Sequence, residues 1–381
     1  MRTANRLSSI AALAQELIRI PSHNPPGDED RIARFAADWL RNAGLEPELV
    51  PLEAGRSSAV ARVQGGRRGS IVLCGHLDTV GTDPTAWRIP PHDGRIEDGR
   101  LWGLGASDMK GPVAVLMHVM ARLAETGSVP PQDVVLALTA DEELGYRGAA
   151  AVAEAGLIDD AEVLLIAEPS AGNVYVGQKG ELWVEVLFSG REAHGSTPDL
   201  GVNTILPAAR FCARLQAEME ELPEIAGRGR TTLNVGRFEG GRRVNIVPDR
   251  SVVQLDVRVV RDDDRDETLT RIDRIGAEEA AASGARFERS ILGDHPPIVG
   301  DPAGPHANRL IRSVASVTGH EPPVGISPFS TDAVSIIPRV GVPVLLYGPG
   351  DIARAHQPDE SVDLADLVTA YEVLQRFVTE A

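Results

Sequence analysis

The sequence is poor in the features that would place it outside the cell, on nucleic acid or in a membrane. Only two cysteines occur in 381 residues, Cys74 and Cys212, too few for a disulfide framework. Lysine is nearly absent: of 38 basic residues, Lys110 and Lys179 are the only lysines. No basic stripe is present, and 55 acidic residues bring the net charge to −17. That balance argues against binders of phosphate backbones and of anionic membranes. No apolar run approaches the roughly 18 residues of a membrane span. The opening stretch, MRTANRLSSIAALAQELIRIPS, lacks the continuous apolar core of a secretory signal, and its apolar residues recur at helical spacing instead. A soluble cytoplasmic protein, with neither nucleic acid nor membrane as a partner, is the expectation.

The chain does have ordinary globular composition, 43% hydrophobic and 24% charged, and a length that favours two domains. Leu7 to Ile20 and Glu29 to Ala43 read as amphipathic helices, the second stopped by Gly44. Strand-like and helix-like runs then alternate: SSAVARV, SIVLCGH, the helix GPVAVLMHVMARLAETG, DVVLALTA, the helix GAAAVAEAGL, and EVLLIAE. Such alternation predicts an α/β fold, a mostly parallel sheet with helices on both faces. Ligands of such sheets sit at the carboxyl ends of the strands.

Near residue 177 the period changes. ELWVEVLFSG alternates apolar and polar residues, as an antiparallel strand with one exposed face does. A helix over about 202–222, strands TTLNVGRFEG and SVVQLDVRVV, a helix over about 267–282 and a strand from Arg286 to Leu292 follow. This β-α-β-β-α-β order predicts a small ferredoxin-like α+β domain. After residue 295 the α/β pattern returns, with VPVLLYG as a strand and a helix from Leu364. The expected division is a larger domain of residues 1–176 and 294–381 with residues 177–293 inserted.

Five segments carry residues suited to chemistry, each at the end of a predicted strand or in a loop. His76 and Asp78, in Gly75-His76-Leu77-Asp78, share one side of a strand. That spacing suits a metal-ligating imidazole oriented by a carboxylate, or simply two polar groups bonded to backbone. Asp108, in a glycine-rich turn before a helix, could cap that helix or bridge two cations with its two oxygens. Asp141, Glu142 and Glu143 follow an apolar strand, where adjacent acids can divide metal binding from proton transfer or merely be solvated. Glu168 ends another strand, and His356 lies in the glycine-rich loop that begins at Gly348. Together they form an N/O donor set suited to zinc, with cobalt or manganese as alternatives. Cys74 shares the strand face of His76 but reads as core, and Lys110 reads as solvating the start of its helix.

These five segments, in this order, resemble the dinuclear-zinc aminoacylase and carboxypeptidase family, from PSHNPPG near the start to AHQPDE near the end. That family contains acetylornithine deacetylase, succinyl-diaminopimelate desuccinylase and glutamate carboxypeptidases. The resemblance implies two divalent metal ions per chain. Asp108 would bridge them, His76 and Glu168 would complete one site, and Glu143 and His356 the other. It further implies Glu142 as general base toward a metal-activated water, Asp78 as the acid that orients His76, and a cis peptide after Asp108.

In the inserted domain, Ser189-Gly190-Arg191-Glu192-Ala193-His194 resembles the segment whose histidine reaches a partner subunit's site. The domain would then be a lid and the contact of a homodimer. Asn245 and Arg258 become candidates for the substrate carboxylate, with Arg258 as a bidentate partner or an ordinary strand arginine. Ser330, Thr331 and Gly350 fall where the family lines its pocket. The implied reaction is release of an acetyl or succinyl group from a small N-acyl amino acid. Cleavage of short peptides or glutamyl conjugates by a carboxypeptidase or dipeptidase is the alternative. The absence of a His-Glu-x-x-His helix argues against a single-zinc protease.

Overall fold

The computed structural model describes residues 2–127 and 129–380, which divide into two compact units. The larger comprises Met1–Gly177, Val299–Gly325 and Thr331–Ala381; the smaller comprises Gln178–Ile298 and Ile326–Ser330. The short segment Ile326–Ser330, expected from the sequence in the larger domain, thus groups with the smaller unit.

The larger unit is an α/β domain. Its central sheet sets the strands Glu48–Glu53, Arg56–Val63, Asp133–Thr139, Ser70–His76, Ala161–Pro169 and Val344–Gly348 side by side in that order. The last four of these strands are parallel, while the first two form an antiparallel pair at the edge. The reason lies in the connections. Only six residues separate Arg56–Val63 from Ser70–His76, too few for a parallel crossover, and Asp133–Thr139 lies between them. Ser70–His76 is buried along its whole length, which explains its unbroken apolar run. Ile71 and Leu73 pack into the large core with the helices Lys110–Thr126 and Leu364–Thr379. The helices Arg147–Glu154 and Ala333–Val340 pack together on the opposite side. A small three-stranded sheet, Ser361–Asp363, Arg100–Trp102 and Arg95–Glu97, was not legible as strands in the sequence.

The smaller unit is the α+β domain. Its strands Gly180–Ser189, Thr232–Gly240, Arg250–Val259 and Arg286–His295 form an antiparallel sheet. Counted by sequence, their spatial order is second, third, first, fourth. The alternation of ELWVEVLFSG becomes two faces: Leu182, Val184, Val186 and Phe188 are fully buried, while Trp183, Glu185 and Leu187 are partly exposed. The buried set packs on the helices Ile205–Glu220 and Asp262–Ser283, with the Phe188 ring 5.8 Å from Phe211 and 5.6 Å from Phe287. The second helix begins five residues before the expected start, at Asp262, because Asp262, Asp263 and Asp264 suit the positive end of its dipole. Among the described residues no helix is long and apolar enough to cross a membrane.

Candidate active site and metal centre

The four parallel strands bring their carboxyl ends to one edge, and the candidate residues arrive with them. His76 ends its strand, Glu168 closes Ala161–Pro169, and Glu142 and Glu143 follow Asp133–Thr139. His356 follows Val344–Gly348 through a loop that turns at Gly350, whose φ of +89° favours glycine and where a side chain would strike Ser107 Oγ. Asp108 comes from the turn before Lys110–Thr126, and its bond to Met109 is cis.

These residues converge around one carboxylate. His76 Nε2 lies 3.0 Å from Asp108 Oδ1 and 3.7 Å from Glu168 Oε1. His356 Nε2 lies 3.4 Å from Asp108 Oδ2 and 3.1 Å from Glu143 Oε2. Within each trio, His76 with Asp108 and Glu168, and Asp108 with Glu143 and His356, the donor atoms fall within 4.8 Å of one another. Asp108 belongs to both.

Asp78 is fully buried and does two things at once. Its peptide carbonyl accepts a hydrogen bond from His76 Nδ1 at 3.0 Å, which fixes the proton there and turns Nε2 toward Asp108. The Asp78 carboxylate stands 3.6 Å from the same nitrogen. It accepts instead from the backbone N–H groups of Glu142 at 3.2 Å and Glu143 at 3.1 Å. The expected orienting acid therefore orients the imidazole by its backbone and the acidic loop by its side chain.

The site holds more negative charge than its histidines can balance. Burial raises the pKa of Glu168, and Asp108 and Glu143 raise it further. Glu142 is held well above the carboxylate range by burial; His76 opposes this, and Glu168, Asp332 and Glu143 add to it. Burial works against the charged form of His76, but Asp108 and Asp78 outweigh it and hold the imidazole well above its usual pKa. His356 is raised to about 10 by its contacts with Asp108 and Glu143. A carboxylate-rich cluster with two imidazoles, sharing one central acid, has the donor chemistry of a pair of divalent cations. The residues fit such ions.

Several supporting residues escaped the sequence reading. Glu360, 1% exposed, accepts the backbone N–H groups of Gly105, Ser107 and Asp108 at 3.0, 2.8 and 2.9 Å. It ties the loop of His356 to the turn of Asp108. A glycine-rich turn aims several N–H groups one way, so an anionic partner was the available signal. Lys110 is a correction: it is fully buried rather than solvating, and its Nζ donates to the Ile20 carbonyl at 2.7 Å. Burial lowers its pKa to about 7. Asp332, also buried, accepts from Thr139 Oγ1 at 2.5 Å, with Cys74 Sγ at 3.7 Å. Cys74 is core, beside that carboxylate.

The remaining candidates lie apart from this cluster in the chain. Thr331 is buried, its hydroxyl accepting from Ala333 N at 3.3 Å, and Gly350 accepts from Ala171 N at 2.8 Å. In the smaller unit, His194 is exposed, with Nδ1 2.7 Å from Ser196 Oγ. Asn245 is exposed on the neighbouring segment, where its carbonyl accepts from Gly195 N at 2.8 Å. Arg258 is already engaged, by Glu181 and Asp256 at 2.8 Å each and by Ser330 Oγ at 3.3 Å.

Residues 72–380 match peptidase family M20/M25/M40. The chain belongs to that family. It is accordingly a hydrolase of amide bonds. This M20 chain is 32% identical to the acetylornithine deacetylase of Myxococcus xanthus over 362 residues, covering 91% of this chain and 88% of that one. It is 25% identical over 393 residues to a probable succinyl-diaminopimelate desuccinylase of Staphylococcus aureus, covering 95% of each. The crystal structure of a Staphylococcus aureus tripeptidase superposes with a TM-score of 0.82 at 20% identity, covering 98% of each chain. At that identity the likeness concerns the fold.

Proposed function

We propose that this M20 chain removes an acetyl or succinyl group from a small N-acyl amino acid, in the cytoplasm, as a homodimer formed through its inserted unit. The observation that carries the choice of substrate is the 32% identity to an acetylornithine deacetylase over 91% of the chain. The family as a whole is a peptidase family, but the likeness to a tripeptidase in particular is one of fold, at 20% identity.

In this reading His76, Asp108 and Glu168 hold one divalent ion, and Asp108, Glu143 and His356 the other, zinc being the ion the donors suit best, with cobalt or manganese as substitutes. When bound, the ions supply Lewis-acid charge that polarises the scissile carbonyl and makes water easier to deprotonate. Glu142 takes the water's proton and returns it to the leaving amine. His194 of the smaller unit donates to the oxygen that gains charge. Ser330, Thr331, Gly350, Asn245 and Arg258 are the residues proposed to meet the substrate. The Arg258 fork takes the substrate carboxylate by exchanging it for Asp256 or Glu181.

The test is hydrolysis by metal-stripped and zinc- or cobalt-reconstituted protein across N-acetyl and N-succinyl amino acids, dipeptides, tripeptides and glutamyl conjugates. Metal-dependent release from one acyl amino acid is expected. Preference for peptides would replace the deacylase reading with a carboxypeptidase or dipeptidase.

A further inference from the structure

Behind the acidic loop lies a buried chain of charges that the reaction does not consume. Asp141, the residue before Glu142, has a φ of +66°, the left-handed region that L-residues other than glycine seldom occupy. It is 2% exposed, and three side chains hold its carboxylate. Asn24 Nδ2 donates at 2.9 Å and Arg56 Nη2 at 2.7 Å to Oδ1, and Arg147 Nε at 2.5 Å to Oδ2. Asn24 also donates to Asp78 Oδ2 at 3.0 Å, so one amide spans the two acids on either side of Glu142's backbone anchor. Arg56 in turn is clamped by Glu29, with Nε to Oε2 at 2.8 Å and Nη2 to Oε1 at 2.5 Å. Glu29 Oε1 closes the circuit by accepting from Asp141 N at 3.2 Å.

Arg56 and Glu29 are almost wholly buried, at 4% and 0% exposure. Of the cations touching Asp141, Arg56 is the buried one, since half of the Arg147 side chain faces solvent. An intact buried ion pair adds little to stability once its desolvation is counted, so what this one contributes is sought in the geometry it fixes. The geometry fixed here is that of the residue from which Glu142 projects.

We infer that Arg56, seconded by Asn24, is a positioning residue for the general base: it holds Asp141 in its left-handed conformation and so sets where the Glu142 carboxylate stands. This rests on the proposed role of Glu142. The Arg56 guanidinium bonds to Glu29, Asp141 and Glu53, none of them a candidate ligand.

The experiment is a double-mutant cycle on the zinc-loaded enzyme, with Arg56→Gln made alone and in a Glu142→Gln background. Arg56→Gln alone should lower kcat by about tenfold to a hundredfold, the range of a displaced catalytic group, with KM little changed. In the Glu142→Gln background it should cost nothing further. Hydrogen exchange on metal-free and loaded protein should rise at residues 141–145 and stay protected in Asp133–Thr139. Arg56→Lys, which keeps the charge but can serve only one acid at a time, should fall between wild type and Arg56→Gln. If Arg56→Gln fails to fold, Arg56→Lys and Asn24→Ser carry the same cycle. Equal losses of kcat in both backgrounds would overturn the positioning role and leave Glu142 as base. Near-normal turnover of Glu142→Gln alone would overturn both.

Discussion

His76 and His356 address opposite oxygens of a single carboxylate, His76 at Asp108 Oδ1 and His356 at Asp108 Oδ2. The two histidines differ in setting. His76 is 1% exposed, whereas half of the His356 side chain faces solvent. One half of the centre is thus built into the sheet, and the other is reached by a loop.

The loop side gives a pH prediction. In the metal-free protein His356 has its pKa raised from 6.5 to about 10 by Asp108 and Glu143. A raised pKa contributes stability that is fully present below about 6.5 and is lost as pH rises through about 10. A metal ion must displace that proton, so zinc affinity should climb with pH between those limits, with proton release on binding. Calorimetry in buffers of different ionisation enthalpy reads the release. An affinity flat across this range would refute the His356 assignment.

Glu142→Gln keeps the shape of the acid and removes its proton chemistry. It should bind two zinc ions per chain and lose about a hundredfold or more in kcat, the contribution of a general acid–base group. Steady-state kinetics paired with metal analysis separate this from simple loss of zinc.

Glu360→Gln leaves one oxygen where three backbone N–H groups now share two. The Asp108 turn should loosen and zinc should bind about ten- to a hundredfold more weakly, as when other outer supports of metal ligands are removed. Competition against a chelator measures it, and unchanged affinity would show that the turn holds itself.

His194 lies in the smaller unit, so its role is separable genetically. Glu142→Gln and His194→Ala should each be nearly inactive. In the proposed homodimer, with His194 serving the partner subunit's site, mixing them under subunit exchange should restore activity, because one hybrid site keeps both groups. Absence of recovery would mean that His194 serves its own chain or none.

Phe188 tests the smaller unit alone. Fully buried against Phe211 and Phe287, its replacement by Ala should destabilise that unit by about 3–5 kcal/mol. Chemical denaturation should then show two transitions, with the larger unit melting as before.

The legible parts of this molecule were those set by local pattern. The buried run SIVLCGH and the alternating run ELWVEVLFSG each declared its strand type, since apolar periodicity records which faces are covered. The acids and histidines at strand ends were legible too, because a parallel sheet gathers such ends in space. What pattern could not show was pairing between distant segments. Nothing local in Arg56 says that its guanidinium meets Glu29 and Asp141, or in Glu360 that it faces Gly105. Lys110 was misread for the same reason: its environment is made by Ile20, ninety positions away. Edge strands of three residues, such as Ser361–Asp363, are too short to carry a period.

The strand Val344–Gly348 lies beside Ala161–Pro169 in the sheet, although the whole of the smaller unit is encoded between them. As the chain leaves the ribosome, His76, Asp108 and Glu168 are therefore available long before His356. The smaller unit, continuous but for Ile326–Ser330, can fold while the larger sheet still lacks a strand. Closing that sheet is the late, long-range step of biosynthesis, the kind that loop entropy makes slow. Until it happens, one side of Ala161–Pro169 is an unpaired strand edge, open to pairing with another chain.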